Sequence, residues 1–253
     1  MANRKHYDFR QMVVGGYLTD HSHNHKFGAV PQMSINTTGT VCDLNDTVYP
    51  WSALDTPAKV NVERNDVADN GLQVVIQGLD SNWDYQQEII TITGADQLGN
   101  KLWRRVNRAY IESGTATTNI ANINIEAGAA GGTTIARIRA GRAQTLMAVY
   151  TIPRGYIGYL YQGTMTVQAN GDATGYMYIR RNSVGTAFRI GHTFEVTGSG
   201  GAYNYKFSFP PAIPEKSDID VRALVRSNNS RVTATFDILL VENDPEAPIT
   251  DLL

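Results

Sequence analysis

The sequence predicts an all-β protein built of antiparallel sandwich or jelly-roll units, preceded by an extended N-terminal arm. Three observations predict it. Apolar and polar residues alternate in many short stretches, which is the periodicity of a half-buried strand. Gly, Asn, Asp and Pro punctuate these stretches at short intervals, as turns do. Helical periodicity is nearly absent across all 253 residues. About a dozen strands at such spacing fit packed antiparallel sheets rather than alternating strands and helices.

Residues 1–40 carry few strand signals and end in the polar "NTTGT", so they are assigned to the arm. Within it, "YDFRQMVVGGYL" offers Tyr7, Phe9, Met12, Tyr17 and Leu18 as apolar anchors that the arm cannot bury by itself. A segment of that kind orders on a neighbouring subunit. His25 and Phe27, in "HKFG", stand where the arm meets the first strands, with Gly28 supplying a turn. These seven side chains are the predicted interface.

Residues 41–143 hold the first strand set. "AKVNVE" puts Val60 and Val62 on one face, "EIITITG" alternates Ile90 and Ile92 with threonines, and "NIANINIEAG" groups Ile123 with Ile125. The Gly-rich "EAGAAGGTTIARIRAGRAQ" reads equally as an exposed hairpin or a linker. Residues 144–253 hold the second set, which is either a separate unit or the other half of one continuous sandwich. It opens on a turn at Pro153–Gly155, where Pro fixes φ and Gly supplies a positive one. Pro210, Pro211 and Pro214 break a later strand into a crossover, because proline cannot donate to a ladder.

The motif "HSHNH" places His21, His23 and His25 at alternate positions, on one face of an extended backbone. His21 and His23 are the metal-ligand candidates: a pair from each of three chains would supply six nitrogens. Asp20, Ser22 and Asn24 are turn and solvent types, and Lys26 would set a positive charge beside a cation, so no metal site is assigned. A subunit contact or pH response is the other reading of these imidazoles.

Hydrophobic residues make up 42% of the chain and charged ones 18%, enough apolar content for a folded core. The formal net charge of −2 and the lack of a long basic run give no case for nucleic acid. No stretch of 18 apolar residues exists to form a membrane helix, and the polar opening "MANRKHYDFRQ" lacks a signal-peptide core. The single cysteine, Cys42, reads as a small buried residue. Phosphate-cradling, dinucleotide, nucleophile-elbow and zinc-helix motifs are absent. Asp80, Asp84, Glu88 and Asp96 gather around "GLDSNWDYQQE", where turn formation explains them better than glycoside hydrolysis. No catalytic residue and no cofactor are assigned. Lys101, Arg104, Arg105 and Arg108 in "KLWRRVNR" read as a solvated strand face, or as one that meets an acidic partner surface. Tyr156, Tyr159 and Tyr161 read as sheet-face aromatics, with carbohydrate stacking the alternative.

Seven segments resemble virion structural proteins of tailed bacteriophages, especially phages of marine bacteria and cyanobacteria. They are "HKFGAVP", "YPWSALDTPAKVNVE", "VVIQGLDSNWDYQQEIITITG", "WRRVNRAYIESG", "AGRAQTLMAVYTIPRGYIGYL", "FRIGHTFEV" and "PAIPEKSDIDVRALVRSNNSRVTATFDILLVEND", spanning most of Lys26 to Asp244. The resemblance implies a β-rich, non-enzymatic particle component, made in the host bacterial cytoplasm and residing in the virion. A capsid decoration or cement protein is the leading expectation, bound to the major capsid protein as a homo-oligomer, a trimer by preference. A tail, neck or baseplate component, fibre or adaptor, is the alternative, and a carbohydrate-binding receptor module a third. The full triple of histidines departs from the family's "H…HKFG".

Overall fold

The computed structural model describes residues 7–44, 46–114, 118–168, 171–182, 184–197 and 201–243. The chain opens with a short helix, α1 (Phe9–Val14). A capping box fixes its start: Asp8 accepts from the Gln11 backbone N–H at 2.8 Å, and Gln11 Oε1 accepts from the Asp8 N–H at 3.1 Å. Strands β1 (His21–Met33) and β2 (Thr38–Thr40) follow. Next come β3 (Val60–Arg64), β4 (Gln73–Leu79), β5 (Tyr85–Thr91), β6 (Asp96–Leu98), β7 (Arg105–Ser113), β8 (Ile123–Ala127) and β9 (Thr133–Ile138). The remainder holds β10 (Val149–Thr151), β11 (Tyr156–Val167), β12 (Ala173–Arg180), β13 (Arg189–Val196), β14 (Ala202–Lys206), β15 (Ala212–Ile213), β16 (Asp218–Val225) and β17 (Ser230–Glu242).

The fold is all-β, and its strand pairings are antiparallel. A larger sheet pair consists of β1-β17-β11-β14, with β15 also on β11, and β10-β16-β12-β13, with β2 on β16. One core joins them: Val30, Leu160, Met165, Phe236 and Ile238 from the first sheet meet Met177, Phe194, Val221 and Val225 from the second. A smaller sheet pair consists of β6-β3-β8-β9 and β5-β4-β7. Its core sets Val60, Val62, Ile123, Ile125 and Ile138 against Val74, Ile76, Ile90 and Val106, with Trp103 among them. The chain therefore starts in the larger pair, crosses near Cys42 to build the smaller one, and returns at Val149. Cys42 is buried at that crossing, and burial pushes its thiol up to about 12. The Gly-rich stretch forms the β8–β9 hairpin. The prolines bracket β15 before the chain crosses between the sheets of the larger pair.

The assignment of residues 1–40 to an extended arm does not describe residues 21–40. β1 pairs with β17 from His21↔Val241 to Met33↔Ser230, and β2 pairs with β16. The physical reason is the edge position of β1. Its outward side chains can be polar, while Lys26, Gly28, Val30 and Met33 face inward. Pro31 falls where the register shifts between Val30 and Met33, the bulge position at which a strand tolerates proline. Gly28 makes no turn. It lies within β1, where an added Cβ would come within 1.9 Å of Val41 O and 2.4 Å of Ala148 N, so only glycine lets the backbones approach.

Candidate interaction sites on the outer face and at the junction

The expected interface residues occupy one outer face of the larger pair. α1 buries only Val13, leaving Phe9, Val14 and Tyr17 at 45%, 72% and 60% exposure. Tyr7 stacks on Tyr17 with ring centroids 5.0 Å apart, and Phe9 meets the edge of His21 at 5.7 Å. Met12 and Leu18 are half-buried. Val13, Val14 and Phe9 wall an apolar groove of about 240 Å³, closed on the sheet side by Leu239 and Tyr161. His25 and Phe27 lie further along β1, their rings 5.8 Å apart.

β1 does put the three imidazoles on one face, but it divides their partners. His21 Nδ1 lies 2.8 Å from Asp20 Oδ1. His23 Nε2 and His25 Nδ1 both reach Asp237 Oδ1, at 2.9 and 2.7 Å, and Gln162 Nε2 donates to Asp237 Oδ2 at 2.9 Å. A carboxylate oxygen only accepts, so each of those two ring nitrogens carries a proton. Strand register explains the cluster: His25 stands opposite Asp237, Asp237 opposite Gln162, and Gln162 opposite Lys206. Burial would raise the Asp237 carboxyl, but the bonds from Gln162, His25 and His23 hold it below the ordinary range. Among the described residues, no group of three or more His, Cys, Asp or Glu side chains is arranged to hold a metal ion. Asp237 was the partner missed in the sequence, although it is the one acidic residue within "TATFDILLV".

The basic run "KLWRRVNR" is not simply a solvated face. Trp103, Arg105 and Asn107 are buried, and the acidic surface that Arg105 meets belongs to the same chain. Arg105 Nε donates to Asp218 Oδ1 at 3.0 Å, and its Nη2 donates to Asp218 Oδ2 at 3.2 Å and Asp55 Oδ1 at 3.0 Å. Arg180 donates to Asp218 Oδ2 from Nε at 3.0 Å and Nη2 at 2.6 Å, and Thr151 Oγ1 donates to Oδ1 at 2.6 Å. Both guanidiniums lie over Trp51, at 5.5 and 5.7 Å, and Trp51 Nε1 donates to Asp220 Oδ2 at 2.9 Å. Asp220 also accepts from Thr40 and Arg222. At the rim, Arg154 forks onto Asp84 at 2.9 and 2.7 Å while its backbone N–H donates to Trp83 O. This junction joins the smaller pair (Trp51, Asp55, Trp83, Asp84, Arg105) to the larger one (Thr151, Arg154, Arg180, Asp218, Asp220).

The other acidic residues of "GLDSNWDYQQE" are structural partners. Asp80 Oδ1 accepts from the N–H groups of Asn82 and Asp84 at 2.7 and 3.0 Å, as a turn-forming Asp does. Glu88 accepts from the backbone of Asn100 and Lys101, and Asp96 from Asn61.

No family model matches the chain, and no curated protein matches it. Three solved structures give the scale of its likeness to known folds. The cowpea mosaic virus top component, naturally occurring empty particles, is 9% identical over 79% of this chain and 88% of that one, with a TM-score of 0.22. The Gx strain of infectious bursal disease virus is 10% identical over 89% and 72%, with a TM-score of 0.26. A family 11 carbohydrate-binding module from Clostridium thermocellum, in complex with a β-1,3-1,4-mixed-linked tetrasaccharide, is 10% identical over 73% and 96%, with a TM-score of 0.19. Scores this low support no conclusion about what the chain does.

Proposed function

We propose that the chain is a non-enzymatic structural component of a tailed-phage virion, a capsid decoration protein that clamps neighbouring capsomers. In this reading the two sheet pairs are sandwich units of jelly-roll type, and the chain works as an oligomer beside the major capsid protein. The observation that carries the reading is the make-up of the junction. Trp51 and Asp55 come from "YPWSALDTP", Asp84 from "SNWDYQ", Arg105 from "WRRVNR", Thr151 and Arg154 from "AVYTIPRGY", and Asp218 and Asp220 from "SDIDVRA". Five of the seven segments that resemble phage virion proteins thus meet in one ionic and aromatic network, buried around Asp218 and Asp220 and open at the Asp84–Arg154 rim, that ties two β units together. A part that bridges neighbours must transmit load between its own units, and a fixed junction serves that purpose. The exposed apolar side of α1 supplies a surface suited to a neighbouring subunit.

Counting copies in purified particles of the encoding phage tests this. A shell protein is present on the order of hundreds of copies, and a tail or neck ring in about three, six or twelve. Absence from the particle overturns the proposal.

A further inference from the structure

A cleft of about 430 Å³ opens where β1 of the larger pair faces the smaller one. Lys26 reaches into it from the inner side of β1 and is only 8% exposed. Its Nζ donates to the backbone carbonyl of Asn107 at 2.5 Å. A carbonyl satisfies one of its three N–H donors and none of its charge. No carboxylate is among the described residues that line the cleft. The second charged group there is another cation, Arg108, whose Nη2 bonds Gln144 and whose guanidinium lies 4.7 Å over Tyr110. Across the cleft, Tyr150 Oη accepts from Asn24 Nδ2 at 3.2 Å, which leaves its own O–H to donate. The cleft therefore gathers an ammonium, a guanidinium and a phenol O–H with no counter-charge.

We infer that this cleft is an oxyanion site, in which Lys26 and Arg108 together hold a carboxylate or phosphate group. Arginine's planar fork fits either oxyanion, and an ammonium adds a compact second charge. The inference goes beyond the virion role and does not depend on it.

The Lys26 ammonium makes binding depend on pH. Burial first, and then Arg108, bring Lys26 down to about 7. The other titratable groups around the cleft are His25 on β1, Tyr85 on β5, Tyr150 after β10 begins and Tyr156 on β11. The three phenols are raised and stay neutral, Tyr156 beside Glu242 at 3.5 Å, and His25 is turned to Asp237. An anion binds the protonated amine, so affinity weakens as pH rises past neutrality.

Calorimetric titration of the full chain with succinate, and separately with inorganic phosphate, tests the site. Succinate stays ionised above about pH 6.5, so its own titration does not enter. The expected result is one saturable site per chain for at least one anion, about tenfold weaker at about pH 8.5 than at about pH 6.5 for succinate. Binding of phosphate alone narrows the class to phosphates, and binding of both keeps it broad. Lys26→Met removes the site, and Arg108→Gln, on the surface and remote from the cores, weakens it about tenfold or more. If Lys26→Met does not fold, Arg108→Gln decides. No saturable binding by either anion, or binding that Arg108→Gln leaves unchanged, overturns the inference.

Discussion

Arg105 and Asp218 form a forked pair at 3.0 and 3.2 Å across the junction of the two sheet pairs, with both side chains buried. Burial alone would lower the Arg105 guanidinium, but Asp218 and Asp55 raise it above its ordinary value, so its charge is secured by partners from both units. Asp218 in turn has every oxygen occupied, by Arg105, Arg180 and Thr151. A buried pair so fully bonded is costly to break from one side, even where replacing the whole network by apolar groups would be near neutral.

Arg105→Met should therefore destabilise the protein by roughly 3–5 kcal/mol, because Asp55 loses its hydrogen-bonded guanidinium and Asp218 keeps only Arg180 and Thr151. Denaturant unfolding measures this, and separation of one transition into two would show that the two sheet pairs had been uncoupled. A loss under about 1 kcal/mol would mean that the junction contributes little.

Truncation distinguishes α1 from β1. Removing residues up to 18 takes away, among the described residues, one buried side chain, Val13, and should leave a cooperative fold. Removing residues up to 33 strips β1 from β17 and uncovers Phe236 and Ile238, so that protein should be unfolded or aggregated. Circular dichroism and gel filtration of the two truncations check this. Equal folding of both would contradict the place of β1 in the core.

Gly28→Ala should cost more than the usual glycine-to-alanine change in a strand. The new methyl would meet Val41 O and Ala148 N, which are backbone atoms and cannot rotate away. Thermal melting should fall by several degrees, as expected of an overpacking loss of about 1–3 kcal/mol. An unchanged melting temperature would mean that β1 can shift without loss.

Two groups make stability rise with pH, in two separate windows. The folded Asp237 carboxyl is depressed, so its contribution is present above about pH 4 and is lost as pH falls through its folded value. The folded Lys26 amine is lowered from 10.5 to about 7. Between those values the unfolded chain binds the extra proton, so stability rises with pH from about 7 to about 10. Asp237→Asn should flatten the acid limb and Lys26→Met the alkaline one. Melting temperature against pH for the two variants reads both effects, and slopes unaltered by the substitutions would remove these groups as their source.

Trp103 is fully buried in the smaller core, and Trp103→Ala should cost roughly 3–5 kcal/mol. Trp83 stands apart: it is half-buried, holds φ at 70° and lies against Arg104 and Arg105 at 5.0 and 5.3 Å. Trp83→Gly should be milder than Trp103→Ala, because glycine releases that backbone while the stacking is lost. Chemical denaturation of the two variants compares them directly, and the reverse order would place the essential tryptophan at the junction rim.

Much of the fold was legible because its strands alternate. "AKVNVE", "NIANINIEAG", "TGYMYIRR" and "DIDVRALV" carry β3, β8, β12 and β16. β1 was not legible, since "HSHNHKFGAVPQM" holds three histidines, a lysine, a glycine and a proline. Only its place at a sheet edge, beside an already apolar β17, makes those residues acceptable there. The junction was hidden for a different reason. Asp218 and Arg105 are 113 residues apart, and a charged residue on a strand looks solvated until its partner across the interface is known. The histidines lay in the same blind spot: their alternation was visible, but Asp237 comes from the far end of the chain.

The most direct test of the proposed virion role is a reconstruction, at side-chain resolution, of the phage particle that the proposal places this chain in. Both sheet pairs should appear on the shell in the fixed relation set by Arg105 and Asp218, with Phe9, Val14 and Tyr17 of the N-terminal segment covered by a neighbouring subunit. A particle without this chain, or one in which those three side chains face solvent, would contradict the virion role or the docking surface respectively.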